Sequence, residues 1–129
     1  MSMTPEDLVA RAIAARAHAH APYSNYAVGA ALLARDGTVF TGSNVENASY
    51  GLTVCAERIA VFAAVSAGNH EFAALAVATE NGASMCGACR QVVREFSQDL
   101  PVHLASADGK FRTRTLAELL PEAFGPEKL

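Results

Sequence analysis

Three cysteines occupy two places in this 129-residue sequence. Cys55 opens the run Cys55-Ala56-Glu57-Arg58, and the others form Cys86-Gly87-Ala88-Cys89, followed by Arg90-Gln91. An odd number is awkward for a disulfide framework, and in a reducing compartment the Cys-x-x-Cys pair reads as metal binding or redox chemistry. Thiols three residues apart on a helix share one face, within reach of a single tetrahedral ion. Both segments are predicted to open helices, where unpaired N–H groups and the positive dipole end stabilise thiolates. Three thiolates from two helix ends would hold Zn²⁺ and leave its fourth position free, as a catalytic site requires. A water there would have its pKa lowered to about 7 and become a usable nucleophile.

Three thiolates outweigh the charge of one divalent cation, which weakens it as a Lewis acid. A guanidinium facing the sulfurs would offset this, and Arg58 and Arg90 both stand beside a cysteine. Arg58 is favoured because it lies three residues beyond Cys55 on the same predicted helix. Glu57 projects from that helix end in another direction, which suits a general acid/base better than a ligand. A carboxylate as fourth ligand stays open, although it is unusual company for three thiolates. Taken alone, Cys86 and Cys89 also fit a thioredoxin-like redox pair, but that leaves Cys55-Ala56-Glu57 without a purpose. A structural zinc with a histidine as fourth ligand is a further possibility. His18 and His20 face different sides of a helix, and with His70 and His103 they read as surface or partly buried side chains.

Regular elements must bring these residues together. Thr4-Pro5-Glu6-Asp7 combines an N-cap hydroxyl, a first-turn proline and acids at the positive dipole end. A helix follows to about His20, until Pro22 breaks it. Two strands are predicted at 27–34 and 38–43, around the hairpin signal Arg35-Asp36-Gly37. The first is almost wholly apolar, as a strand covered on both faces would be. Residues 43–53 read as loop. A helix over 54–68 places Cys55, Ile59, Phe62 and Val65 roughly along one face, with Gly68 as its stop. Then come a buried strand at 72–79, a loop, a helix at 87–96 and a strand at 101–106. A final strand at 112–115, a short helix at 116–120 and an irregular tail complete the chain. Helices alternating with apolar strands argue for one α/β layered domain over 1–129.

Composition narrows the classes of function. Hydrophobic residues make up 51% and charged residues 18%, which excludes a disordered tail and supplies a core. Ten basic against thirteen acidic side chains give a formal charge of −3, contrary to the clustered positive surface of a nucleic-acid binder. No run approaches the roughly 18 apolar residues of a membrane span. Glu6 and Asp7 stand where a secretory signal would carry lysine or arginine, so the expected location is the cytoplasm.

Cys55-Ala56-Glu57 followed by Cys86-Gly87-Ala88-Cys89-Arg90-Gln91 resembles the cytidine deaminase family, whose zinc site pairs cysteine ligands with a non-ligating glutamate. The resemblance extends to Tyr23-Ser24-Asn25-Tyr26-Ala27-Val28-Gly29-Ala30-Ala31, to Asn44-Val45-Glu46-Asn47-Ala48-Ser49-Tyr50 and to Phe124-Gly125-Pro126. It covers roughly residues 20–126, and the chain's length resembles the small homotetrameric branch. It implies a three-layer α/β/α sandwich with a mixed five-strand sheet, and one Zn²⁺ per chain held by Cys55, Cys86 and Cys89. Glu57 would take a proton from the attacking water, pass it to N3 of the base and then to the leaving amine. Asn44 and Glu46 would bond the ribose hydroxyls. Tyr26 would lie against the base, where the family usually has phenylalanine, and Ala56 would complete the substrate contacts. Phe124 would reach into a neighbouring subunit's site, so that sites are shared. The implied reaction is hydrolytic deamination of cytidine and 2′-deoxycytidine in pyrimidine salvage. A deaminase of another cytosine compound, such as a nucleoside antibiotic, and a non-enzymatic zinc-stabilised binding module are the alternatives. Met85 stands where the family has proline lining the pocket, a change expected to affect turnover more than metal binding.

Overall fold

The computed structural model describes residues 3–129; residues 1 and 2 of the expected domain lie outside the described residues. Helix α1 (Pro5–Ala15) starts where Thr4 and Asp7 bond each other's backbone in a capping box. It stops earlier than expected, passing into a single 3₁₀ turn over Arg16–His18. Strands β1 (Gly29–Ala34) and β2 (Val39–Ser43) form a hairpin, with Gly37 at φ 93° supplying the left-handed turn residue. Helix α2 (Ala56–Ser66), β3 (Phe72–Ala78), α3 (Gly87–Phe96), β4 (Pro101–Ala105), β5 (Phe111–Thr115) and α4 (Leu116–Leu119) follow.

The strands form one mixed sheet in the order β2-β1-β3-β4-β5. Only β3 and β4 run parallel, joined through α3, while the other neighbouring pairs are antiparallel. The two-residue period of the strands divides their side chains between two cores. Ala31, Ala74, Ala76, Ala78 and Ala105 meet Leu8, Val9 and Ala12 of α1. Ala30, Leu32, Leu75, Val77, Val102 and Leu104 form the other core with α2 and α3. The expected three-layer α/β/α architecture and mixed five-strand sheet are therefore present.

The face of α2 differs from expectation. Ala56, Glu57, Ala60, Val61 and Ala64 are its buried residues, whereas Phe62 is 48% exposed. Small side chains point inward because this helix lies very close to the sheet edge. A Cβ added to Gly42 of β2 would lie 2.4 Å from the carbonyl oxygen of Ala56. That close approach fixes the end of α2 that carries Cys55 and Glu57.

Candidate active site

Two helix N-termini converge on one point. Cys55 is the N-cap of α2, Cys86 is the N-cap of α3, and Cys89 lies in the first turn of α3. The Cys89 amide donates to the Cys86 sulfur at 3.5 Å, satisfying a donor that the helix leaves free. The Cys55 and Cys86 sulfurs are 4.0 Å apart, those of Cys86 and Cys89 are 3.3 Å apart, and all three lie within 4.8 Å of one another. Sulfurs bound to a tetrahedral zinc at about 2.3 Å would be separated by about 3.8 Å, so this donor set fits the ion. Among the described residues no other histidine, cysteine, aspartate or glutamate joins the group.

Arg58 settles which guanidinium faces the sulfurs. Its terminal nitrogen donates to the Cys55 sulfur at 3.4 Å, while its Nε is buried without a hydrogen-bond partner. Arg90 is engaged elsewhere, donating to the carbonyl of Met85 at 2.8 Å, to Ser84 Oγ at 3.1 Å and to the carbonyl of Leu119. The Cys55 thiol is drawn down to about 5, first by a hydrogen bond from Cys89 and then by Arg58, against the opposing effect of burial. Cys89 is pushed up by its bond with Cys55 and by burial.

Glu57 enters the same space from the first turn of α2 and is only 5% exposed. Its carboxyl is pushed up to about 7, chiefly by burial and further by the negative charge of Cys55. It lines a cavity of about 450 Å³ together with Cys55, Cys86 and Ala56. A larger groove of about 750 Å³ lies beside α1 and the β1–β2 turn, but it contains no cysteine or histidine. Its two acids, Asp7 and Asp36, are bound by backbone amides.

Tyr26, Asn44 and Glu46 form another part of the cavity lining. Asn44 is 8% exposed; its Oδ1 accepts from the Val28 amide and its Nδ2 donates to the Tyr26 carbonyl, both at 2.9 Å. Glu46 accepts from the Tyr23 and Ser24 amides at 2.9 and 3.1 Å and from the Ser24 hydroxyl. These bonds draw its carboxyl below the ordinary range, the Ser24 hydroxyl most of all. Both residues thus brace the turn over residues 23–28, and each keeps spare hydrogen-bonding capacity toward the cavity.

Phe124 is 59% exposed and does not line this chain's own cavity; Gln91 anchors its carbonyl at 2.9 Å. Other placements depart from the sequence reading. Met85 does not face the cavity: it is buried in the α2–α3 core, while Ser84 and Cys86 on either side contribute to the lining. Successive residues of this extended segment point in opposite directions. His103 is buried, deeper than the surface or partly buried position expected of it, and is bonded through Nδ1 to Thr113 Oγ1 at 2.8 Å. Thr53, Thr79 and Ser84 line the cavity and were not anticipated. Thr79 followed three residues later by Gly82 is a local hydroxyl-turn pattern that marks such a wall.

Residues 2–104 match the family described as the cytidine and deoxycytidylate deaminase zinc-binding region. Over 130 residues the chain is 51% identical to a cytidine deaminase of Sporosarcina psychrophila, covering 98% of this chain and 96% of that one. The crystal structure of cytidine deaminase from Burkholderia pseudomallei is similar, with a TM-score of 0.91, 52% identity, and coverage of 95% and 100%. The cytidine deaminase structure from Mycobacterium tuberculosis has a TM-score of 0.80 at 46% identity, covering 92% of this chain and 94% of that one.

Proposed function

The chain belongs to the zinc-binding cytidine and deoxycytidylate deaminase family, and on that premise we propose that it hydrolyses cytidine and 2′-deoxycytidine to uridine and 2′-deoxyuridine, releasing ammonia. The observation that carries this reading is the buried Glu57 carboxyl beside three clustered sulfurs in one cavity. Cys55, Cys86 and Cys89 would hold one zinc ion, and Arg58 would offset their charge. Zinc in such a site supplies a water acidified enough to attack at neutral pH.

The chain's own residues do the rest. Glu57 accepts a proton from the attacking water, protonates N3 of the base and then delivers a proton to the departing amine. A carboxyl held near 7 is suited to both directions of transfer. Asn44 and Glu46 use their remaining valences on the ribose hydroxyls. Tyr26 lies against the base and Ala56 closes the cavity floor. Phe124, exposed and away from its own cavity, reaches into the site of a neighbouring copy within a homotetramer. Such an enzyme serves pyrimidine salvage in the cytoplasm, and the absence of excess positive charge suits a free nucleoside over a polynucleotide.

The test is to incubate the purified chain with each nucleoside, follow uridine or 2′-deoxyuridine, and assay metal. Product formation with about one zinc per chain is expected, and metal loss in Cys89→Ala. No product from either nucleoside would overturn the reading, and full metal content in Cys89→Ala would overturn the ligand set.

A further inference from the structure

We infer that the Tyr26 hydroxyl and Asn81 form a latch between the two walls of the active-site cavity, which makes Asn81 a positioning residue for the substrate's base. This rests on the reading that the cavity takes a cytosine nucleoside. One wall is the turn over residues 23–28, which Asn44 and Glu46 brace and from which the Tyr26 ring enters the cavity. The facing wall is the segment between β3 and α3, which contributes Thr79, Ala83, Ser84 and Cys86. The Tyr26 hydroxyl crosses between them, donating to Asn81 Oδ1 at 2.6 Å over a separation of 55 residues.

The second wall is the rigid partner. Thr79 Oγ1 accepts from the amides of Gly82 and Ala83 at 2.8 and 3.0 Å. Asn81 pairs with Ser106 beyond the end of β4, and Arg112 of β5 donates to the Gly82 carbonyl at 2.8 Å. Asn81 Oδ1 also lies 3.3 Å from both Thr79 Oγ1 and the Ala83 amide, so its orientation is set before tyrosine reaches it. The Tyr26 ring has no comparable support: it is only partly buried, and its hydroxyl donates to this one acceptor. Tying the ring's tip to an anchored oxygen removes its freedom to swing, so the surface that meets the base is ordered before the base arrives. Ordering of this kind lowers the cost of binding and appears in KM more than in kcat.

The experiment is a kinetic cycle on the metal-loaded enzyme. Tyr26→Phe keeps the ring and loses the tie, and it should raise KM for cytidine about three- to tenfold while kcat stays within about twofold. Asn81→Ala should do the same, and the double variant should be no worse than either single one. Asn81→Asp keeps an acceptor oxygen and should restore KM. An unchanged KM in Tyr26→Phe, or additive losses in the double variant, would overturn the latch while cytidine turnover by the parent enzyme stands. If the parent enzyme does not turn over cytidine, the functional reading fails and the bond is judged by proton NMR without substrate. A slowly exchanging Tyr26 hydroxyl proton that disappears in Asn81→Ala supports the latch, and its absence from the parent protein overturns it.

Discussion

Glu57 combines a place beside the three sulfurs with a carboxyl near 7, so it can exchange protons in either direction at neutral pH. Glu57→Gln keeps its volume and removes that exchange. This variant should retain about one zinc per chain and lose turnover by about two to four orders of magnitude, as metal analysis and steady-state rates would establish. Unchanged turnover would remove Glu57 from the mechanism. His103 carries a different prediction. Burial depresses its pKa below 6.5, opposed by the charge of Glu6, and its ring sits against Thr113 and Phe111. Because the unfolded chain takes up the proton first, stability is fully present above about pH 6.5 and declines as pH falls toward the folded pKa. Thermal midpoints measured from pH 8 to pH 5 should show that decline, and His103→Gln should flatten part of it.

At the scale of elements, the metal centre depends on how closely α2 lies on β2. Gly42 allows this, since a Cβ there would meet backbone atoms at 2.4 and 2.7 Å, and backbone has little room to yield. Gly42→Ala should destabilise the fold by about 1–3 kcal/mol and lower zinc occupancy by displacing the helix end that Cys55 caps. Denaturant midpoints and metal content would test both effects. An alanine variant with parental stability and metal content would mean that the helix end is less constrained than the packing indicates. The same closeness explains why alanines face inward on α2 and why Phe62 does not.

For the whole molecule, apolar side chains concentrate near the cavity mouth. Tyr23 and Tyr50 meet edge to face at 5.7 Å, both exposed, and Val45 and Leu52 are exposed on the same segments. Exposed apolar surface of this kind marks a contact surface. In the proposed homotetramer Phe124 completes a neighbour's site, so Phe124→Ala should raise KM and weaken assembly. Light scattering alongside kinetics would test this, and a monomer with full activity would exclude the shared site.

The cysteine spacing, the Thr4 cap and the Asp36-Gly37 turn were legible in the sequence because each acts over a few residues through local bonding geometry. So were the strands at β1 and β3, whose continuous apolar runs announce a sheet covered on both sides. Other features required the fold. Asn44 and Glu46 brace residues 23–28, Met85 turns into the core, and His103 is enclosed between elements distant in sequence. The inward face of α2 and the partner of the Tyr26 hydroxyl belong to the same group. Local periodicity restricts which faces a helix or strand can present, but the distance of closest approach between elements selects among them. That distance is set only when the whole chain packs.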